Sequence, residues 1–262
     1  MKLKSLFTAA VTAGLLVLSA PASATLTNWF IDTDGPGGNP KVLVSDYLDL
    51  NGRAYVHNTF ITATTFTFNE AGSFITNLAD GATSLNPVLT SRFVGTGSGN
   101  VGGNLVFNPG GTLGVFSGLT NIANFSLLSG SAVLNAGTVL PNGAVSFIFK
   151  STSMLAGYFF DSAMNDLSLI ANSPTGVVLG FATTNVIPVT PVFGSTIDAN
   201  LVTAYNGAFI PGFVAGTFSN NTTDLLLSNN GQFRLQVPEP SMLSLLGLAL
   251  LGMGIVSRRR KS

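Results

Sequence analysis

The chain lacks cysteine altogether, has one tryptophan and one histidine, and carries few charges, with Asp, Glu, Lys and Arg together making up 8% of 262 residues. No disulfide framework is available to it, and no cysteine-based zinc or redox centre. A tetrahedral N/S metal site cannot be assembled from a lone histidine, and any nucleophile–base pair built on histidine would have to use His57. No Gly-x-Ser-x-Gly stretch occurs, so the serine elbow of α/β-hydrolases is missing. Low charge here does not mean disorder, because 46% of the residues are hydrophobic.

What charge there is lies unevenly. Six of the eleven basic residues stand at the two ends: Lys2, Lys4, Arg258, Arg259, Arg260 and Lys261. Between residues 25 and 236 only Lys41, Arg53, Arg92, Lys150 and Arg234 are basic against ten acids, a net charge of −5. Binding to a phosphate backbone needs clustered Lys and Arg, so nucleic acid is excluded as a partner.

The first 24 residues read as a secretory signal. Lys2 and Lys4 precede an apolar run from Leu6 to Leu18, and Pro21-Ala22-Ser23-Ala24 supplies small residues for signal peptidase. That run falls short of the ~20 residues a spanning helix needs, so cleavage after Ala24 is expected, with Thr25 as the mature start. The expected body, residues 25–236, is long enough for one sizeable core without covalent staples.

Inside the body, helical periods give way to strands. In Ala54–Phe68, Val56, Phe60, Phe66 and Phe68 share one parity, the two-residue period of a half-buried strand. Further strand candidates are GGNLVF, TLGVF, NFSLL, AVSFIFK, GVVLGFA, GAFIPGF and GQFRLQV, while a helix is conceivable only near Ser162–Leu169. Asn108-Pro109-Gly110-Gly111 reads as a hairpin turn, and Pro141-Asn142-Gly143 precedes another strand. Short strands at this spacing predict an all-β, antiparallel, β-sandwich-like body.

Composition changes after Val237. Pro238-Glu239-Pro240 cannot continue a ladder, because each proline lacks an N–H and restrains its predecessor. Residues 241–256 are apolar and, as a helix, reach about 24 Å, a short membrane span. Arg258, Arg259, Arg260 and Lys261 then hold that end on the cytoplasmic side. Val237-Pro238-Glu239-Pro240-Ser241, the short apolar helix and the Arg cluster together resemble the PEP-CTERM sorting signal over residues 237–262. The resemblance implies a cleavable C-terminal transmembrane helix, processing by exosortase in a Gram-negative bacterium that makes exopolysaccharide, and a transient inner-membrane anchor.

A second likeness lies in the body. Ala156–Ser162, Asn165–Ser168 and Gly180–Asn185 resemble the flocculation-associated PEP-CTERM proteins. This implies a surface or matrix protein that associates with extracellular polysaccharide and promotes cell aggregation in flocs or biofilms. It implies no catalytic position, and a non-enzyme is expected.

Gly97-Ser98-Gly99-Asn100-Val101-Gly102 spells G-x-G-x-x-G, but a strand-like segment follows where a dinucleotide loop requires a helix. Asp46, Asp49, Asp161 and Asp166 are candidates for the paired carboxylates of glycoside hydrolysis, and the body has one glutamate, Glu70. An exported polysaccharide-binding module or glycan-active enzyme is therefore the alternative reading, with Trp29, Tyr47, Tyr55, Tyr158 and Tyr205 as the aromatics able to stack on sugars. Asp32, Asp34 and Asn39, spaced around Gly35, Gly37 and Gly38, offer oxygen ligands of the kind calcium takes. The loop departs from the EF-hand, with Pro36 at the third acidic position and Leu43 at the twelfth, and a plain Asx turn accounts for the same residues.

Overall fold

A computed structural model describes residues 23–38, 40–134, 143–171, 173, 176–188, 201, 220 and 222–238. Contacts divide the chain into two units, Thr25–Gln236 and the two ends, Met1–Ala24 with Val237–Ser262. The strands in chain order are β1 (Ser23–Thr25), β2 (Trp29–Ile31), β3 (Val42–Val44), β4 (Leu48–Phe60), β5 (Thr65–Ala79), β6 (Thr83–Asn100) and β7 (Leu105–Phe107). They continue with β8 (Thr112–Ser117), β9 (Thr120–Leu134), β10 (Gly143–Met154), β11 (Phe159–Phe160), β12 (Val178–Pro188) and β13 (Asp224–Pro238). A one-turn helix α1, Ser168–Ala171, falls within reach of the segment where a helix is conceivable.

The body is antiparallel β, but it is not a sandwich. From β4 to β13 each long strand pairs with the next, and β13 then pairs back onto β4, from Asp224 opposite His57 to Phe233 opposite Leu48. The sheet thus closes into an up-and-down barrel. Closure removes the two free edges that an open sheet would expose. β7 and β8 share one place in the ring, since both pair with β6 and with β9. Asn108–Gly111 is therefore no hairpin turn: β7 and β8 run in the same direction, and the kink stays in the sheet through Asn108 N–H donating to Thr96 O (2.8 Å) and Gly110 N–H to Leu127 O (2.9 Å).

The Ala54–Phe68 segment also differs from a single strand. It is the β4–β5 hairpin, in which the register pairs Phe60 with Phe66 and Asn58 with Phe68. Even-numbered positions face even-numbered ones, so the apolar parity carries across the turn and imitates one long strand. Phe60, at the end of β4, is exposed. The GAFIPGF candidate lies outside the described residues, as do Pro141 and Asn142.

The barrel interior is filled by phenylalanine. Phe107 and Phe147 meet edge to face at 4.6 Å, Phe68 and Phe107 at 4.9 Å, and Phe147 stacks on Phe181 at 5.6 Å. An eight-position ring is only just wide enough to be filled by side chains, and inward glycines make space for these rings. A Cβ on Gly95 would stand 2.5 Å from the Phe93 ring, and one on Gly231 would stand 2.8 Å from that of Phe181. Each buried ring contributes about 1.5–3 kcal/mol relative to exposure, which is how a cysteine-free exported body of this size holds together.

The two barrel ends differ. A second sheet, in the order β11-β2-β3, brings Trp29 and Phe159 together (6.3 Å) with Leu48, Leu89 and Phe125 at one end. Trp29 is 1% exposed and plugs that end. β13 runs toward it, so the body's last residues stand at the plugged end. The other end carries a cavity.

Candidate functional site

The β4–β5 turn, the β6–β7 turn and the starts of β10 and β13 frame this second end. Between them lies a cavity of about 50 Å³, walled by apolar side chains such as Val56, Phe66, Phe107 and Leu225. Strand parity decides what else points in. On β4 the inward positions are even and on β13 odd, which puts Asn58 and Asn229 on the wall; on β5 the even series Phe66, Phe68 continues to Glu70.

Glu70 is buried, and its neighbours across the sheet are Val56 on β4 and Gly95 on β6. Burial alone pushes its carboxyl up to about 8, from 4.5. It is therefore protonated and neutral at pH 7. The Oδ1 atoms of Asn58 and Asn229 are buried without a hydrogen-bond partner, although the Asn58 amide donates to Thr222 O at 2.8 Å. Buried polar groups are nearly always paired, so two unpaired amide oxygens beside a buried acid on one cavity wall are an exception to explain. The sequence signalled Glu70 in two ways: it is the only glutamate of the body, and it continues the inward parity of Phe66 and Phe68.

The Asp32 loop forms an Asx turn. Gly35 N–H donates to Asp32 Oδ1 (3.1 Å), making the Asx turn, and Lys41 Nζ stands 4.0 Å from Asp32 Oδ2. Asp32 N–H donates to Tyr158 O (2.8 Å), and Ser117 Oγ donates to Thr33 O, which docks the loop on β8 and on the β11 segment. Burial, followed by the hydrogen bond and charge of Asp34, raises the Asp32 carboxyl, while Lys41 and the Gly35 N–H pull it down. Asn39 lies outside the described residues, and among the described residues no three His, Cys, Asp or Glu converge on a metal position.

The remaining candidates are dispersed. Asp46 pairs with Arg234 (3.0 Å), and Asp49 Oδ2 accepts from Gly81 N–H (2.8 Å). Asp161 accepts from the N–H groups of Ala163 and Asn165, and Asp166 from that of Gly157 (2.6 Å). Each of these carboxylates holds a turn or a cation. Gly97 and Gly99 lie inside β6 under Phe68 and Leu105, so the G-x-G-x-x-G stretch starts in a strand, ends in the β6–β7 turn and leads into another strand where a phosphate loop needs a helix. Trp29, Tyr55 and Tyr158 are buried and closed to a sugar face; Tyr47 is half-buried beside Arg234, and Tyr205 lies outside the described residues.

Of the tail, Val237 and the backbone of Pro238 end β13, while Glu239, Pro240, Arg258, Arg259, Arg260 and the apolar helix of residues 241–256 lie outside the described residues. No helix among the described residues is long and apolar enough to cross a membrane. Residues 236–261 match the PEP-CTERM protein-sorting motif. This chain carries an exosortase sorting signal. The motif implies an exported protein of Gram-negative bacteria, processed by exosortase and anchored in the membrane only transiently. Neither a curated protein nor a solved structure matches the chain.

Proposed function

We propose that this chain is a non-enzymatic surface or extracellular-matrix protein, which exosortase releases from its membrane tail and which then associates with exopolysaccharide and promotes cell cohesion in flocs or biofilms. The sorting motif at residues 236–261 carries the reading. Signal peptidase removes residues 1–24 at the other end. Three features support a structural role for the body: an interior packed with Phe, carboxylates spent on turns and ion pairs, and a lone histidine bound to Asp224. The alternative of a sugar-binding module or glycan-active enzyme is weakened by the burial of Trp29, Tyr55 and Tyr158.

Mass spectrometry of matrix-associated protein is the test. The expected C terminus lies near Pro238-Glu239-Pro240, without the apolar helix and without Arg258–Lys261. Deleting residues 238–262 should release an unsorted body and reduce flocculation as much as deleting the whole gene. An intact C terminus at Ser262 on matrix protein overturns the reading and leaves a permanent anchor. Wild-type flocculation after gene deletion removes the cohesion role while leaving sorting intact.

A further inference from the structure

We propose that the cavity at the second end of the barrel is a binding site for a small primary amine with an apolar body, its ammonium group paired to Glu70. The cavity there is lined by apolar side chains together with Glu70, Asn58 and Asn229, and among the described residues no Lys, Arg or His lines it. The inference goes beyond cohesion and sorting, and neither depends on it.

The wall's polarity selects the ligand. Burial is the one influence on the Glu70 carboxyl, with no cation beside it among the described residues, and the two amide Oδ1 atoms accept nothing there. A carboxylate buried without a counter-charge is costly, so Glu70 keeps its proton while the cavity holds no cation; an entering ammonium displaces that proton to solvent and donates N–H groups to the carboxylate, the strong, charge-assisted kind of hydrogen bond. An anionic ligand would meet a carboxyl and no basic group. A hydroxyl brings one donor, an ammonium three.

Size narrows the class further. A cavity of about 50 Å³ holds roughly four water-sized positions at 10–15 Å³ each. That suits a head group with a chain of three or four carbons and excludes a long acyl chain. Apolar walls with a few placed polar groups are the usual make-up of a small-molecule site, and barrel mouths are a usual place for one.

The test is thermal unfolding of the purified full chain with n-butylammonium, n-butanol and n-butyrate, each at millimolar concentration. A ligand bound to the folded state alone raises the melting temperature saturably. The expected result is a saturable rise with n-butylammonium, none with n-butyrate, and binding at least tenfold weaker in Glu70→Gln. An equal rise with n-butanol, an equal rise in Glu70→Gln, or no rise in the wild type overturns the proposal. Should Glu70→Gln fail to fold, a wild-type crystal soaked in n-butylammonium decides: an ammonium nitrogen within hydrogen-bond distance of Glu70 supports it, and ordered water alone overturns it.

Discussion

His57 Nδ1 lies 2.7 Å from Oδ1 of Asp224, the residue that barrel closure places directly opposite it, and the Tyr55 hydroxyl donates to the same oxygen at 2.5 Å. The chain's only histidine thus clasps the seam between β4 and β13, strands more than 160 residues apart. Asp224→Ala should cost about 1 kcal/mol, because the three groups are part-buried and one hydrogen-bond acceptor serves two donors. Asp46→Ala, which breaks a more exposed pair with Arg234, should cost about half a kcal/mol or less. Urea titration of both variants gives the comparison, and equal losses would show that the clasp adds nothing to closure.

Strand glycines should differ in how far they tolerate a side chain. A Cβ at Gly97 meets the Phe68 ring and the carbonyl of Val106, and backbone cannot move aside as a flexible side chain can. Gly97→Ala should lower stability by about 1–3 kcal/mol, the cost of overpacking a filled core. Gly180→Ala on β12, whose nearest neighbour would be 3.6 Å away, should be near neutral. Denaturant midpoints measured on the two variants check the difference.

Glu70 should make the protein less stable as pH rises. Its carboxyl titrates near 8 when folded and near 4.5 when unfolded, so the folded state holds a proton that the unfolded state releases. Stability from this group is complete below about pH 4.5, declines through neutrality and levels off above pH 8. The strands beside it present Val56 and Gly95, neither of which titrates. Glu70→Gln should therefore melt increasingly above the wild type between pH 5 and pH 8. Parallel melting curves for the two proteins across that range would contradict the assignment.

The Asp32 loop should behave as a turn. Asp32→Ala removes the acceptor of the Gly35 N–H and should cost about 1 kcal/mol. Asp32→Asn keeps an acceptor and should cost less. Millimolar calcium should leave the melting temperature unchanged, because Lys41 and the Gly35 N–H already occupy the Asp32 carboxylate. A calcium-dependent rise that disappears in an Asp32→Ala, Asp34→Ala double variant would restore the cation site.

Local chemistry was legible in the sequence because it is written locally. The sorting tail announces itself in adjacent residues: two prolines, an apolar run and an arginine cluster. Strand character follows from period-two alternation, which the side chains of a single strand impose without reference to any neighbour. The parity of Val56, Phe60, Phe66 and Phe68 holds in the barrel except at exposed Phe60, and carrying it two residues further, a step the sequence alone did not prompt, reaches the buried acid Glu70. Tertiary structure alone decided which edges meet. The Asp224–His57 register turns a row of strands into a ring, and two packed sheets would have satisfied the same alternation. Closure in turn gives the interior glycines their meaning, since Gly97 reads as a breaker in one dimension and as space for the Phe68 ring in three. It also separates the ends of the barrel, because a closed ring, with Trp29 plugging one mouth, gathers Glu70 and two unpaired amide oxygens on the cavity wall at the other.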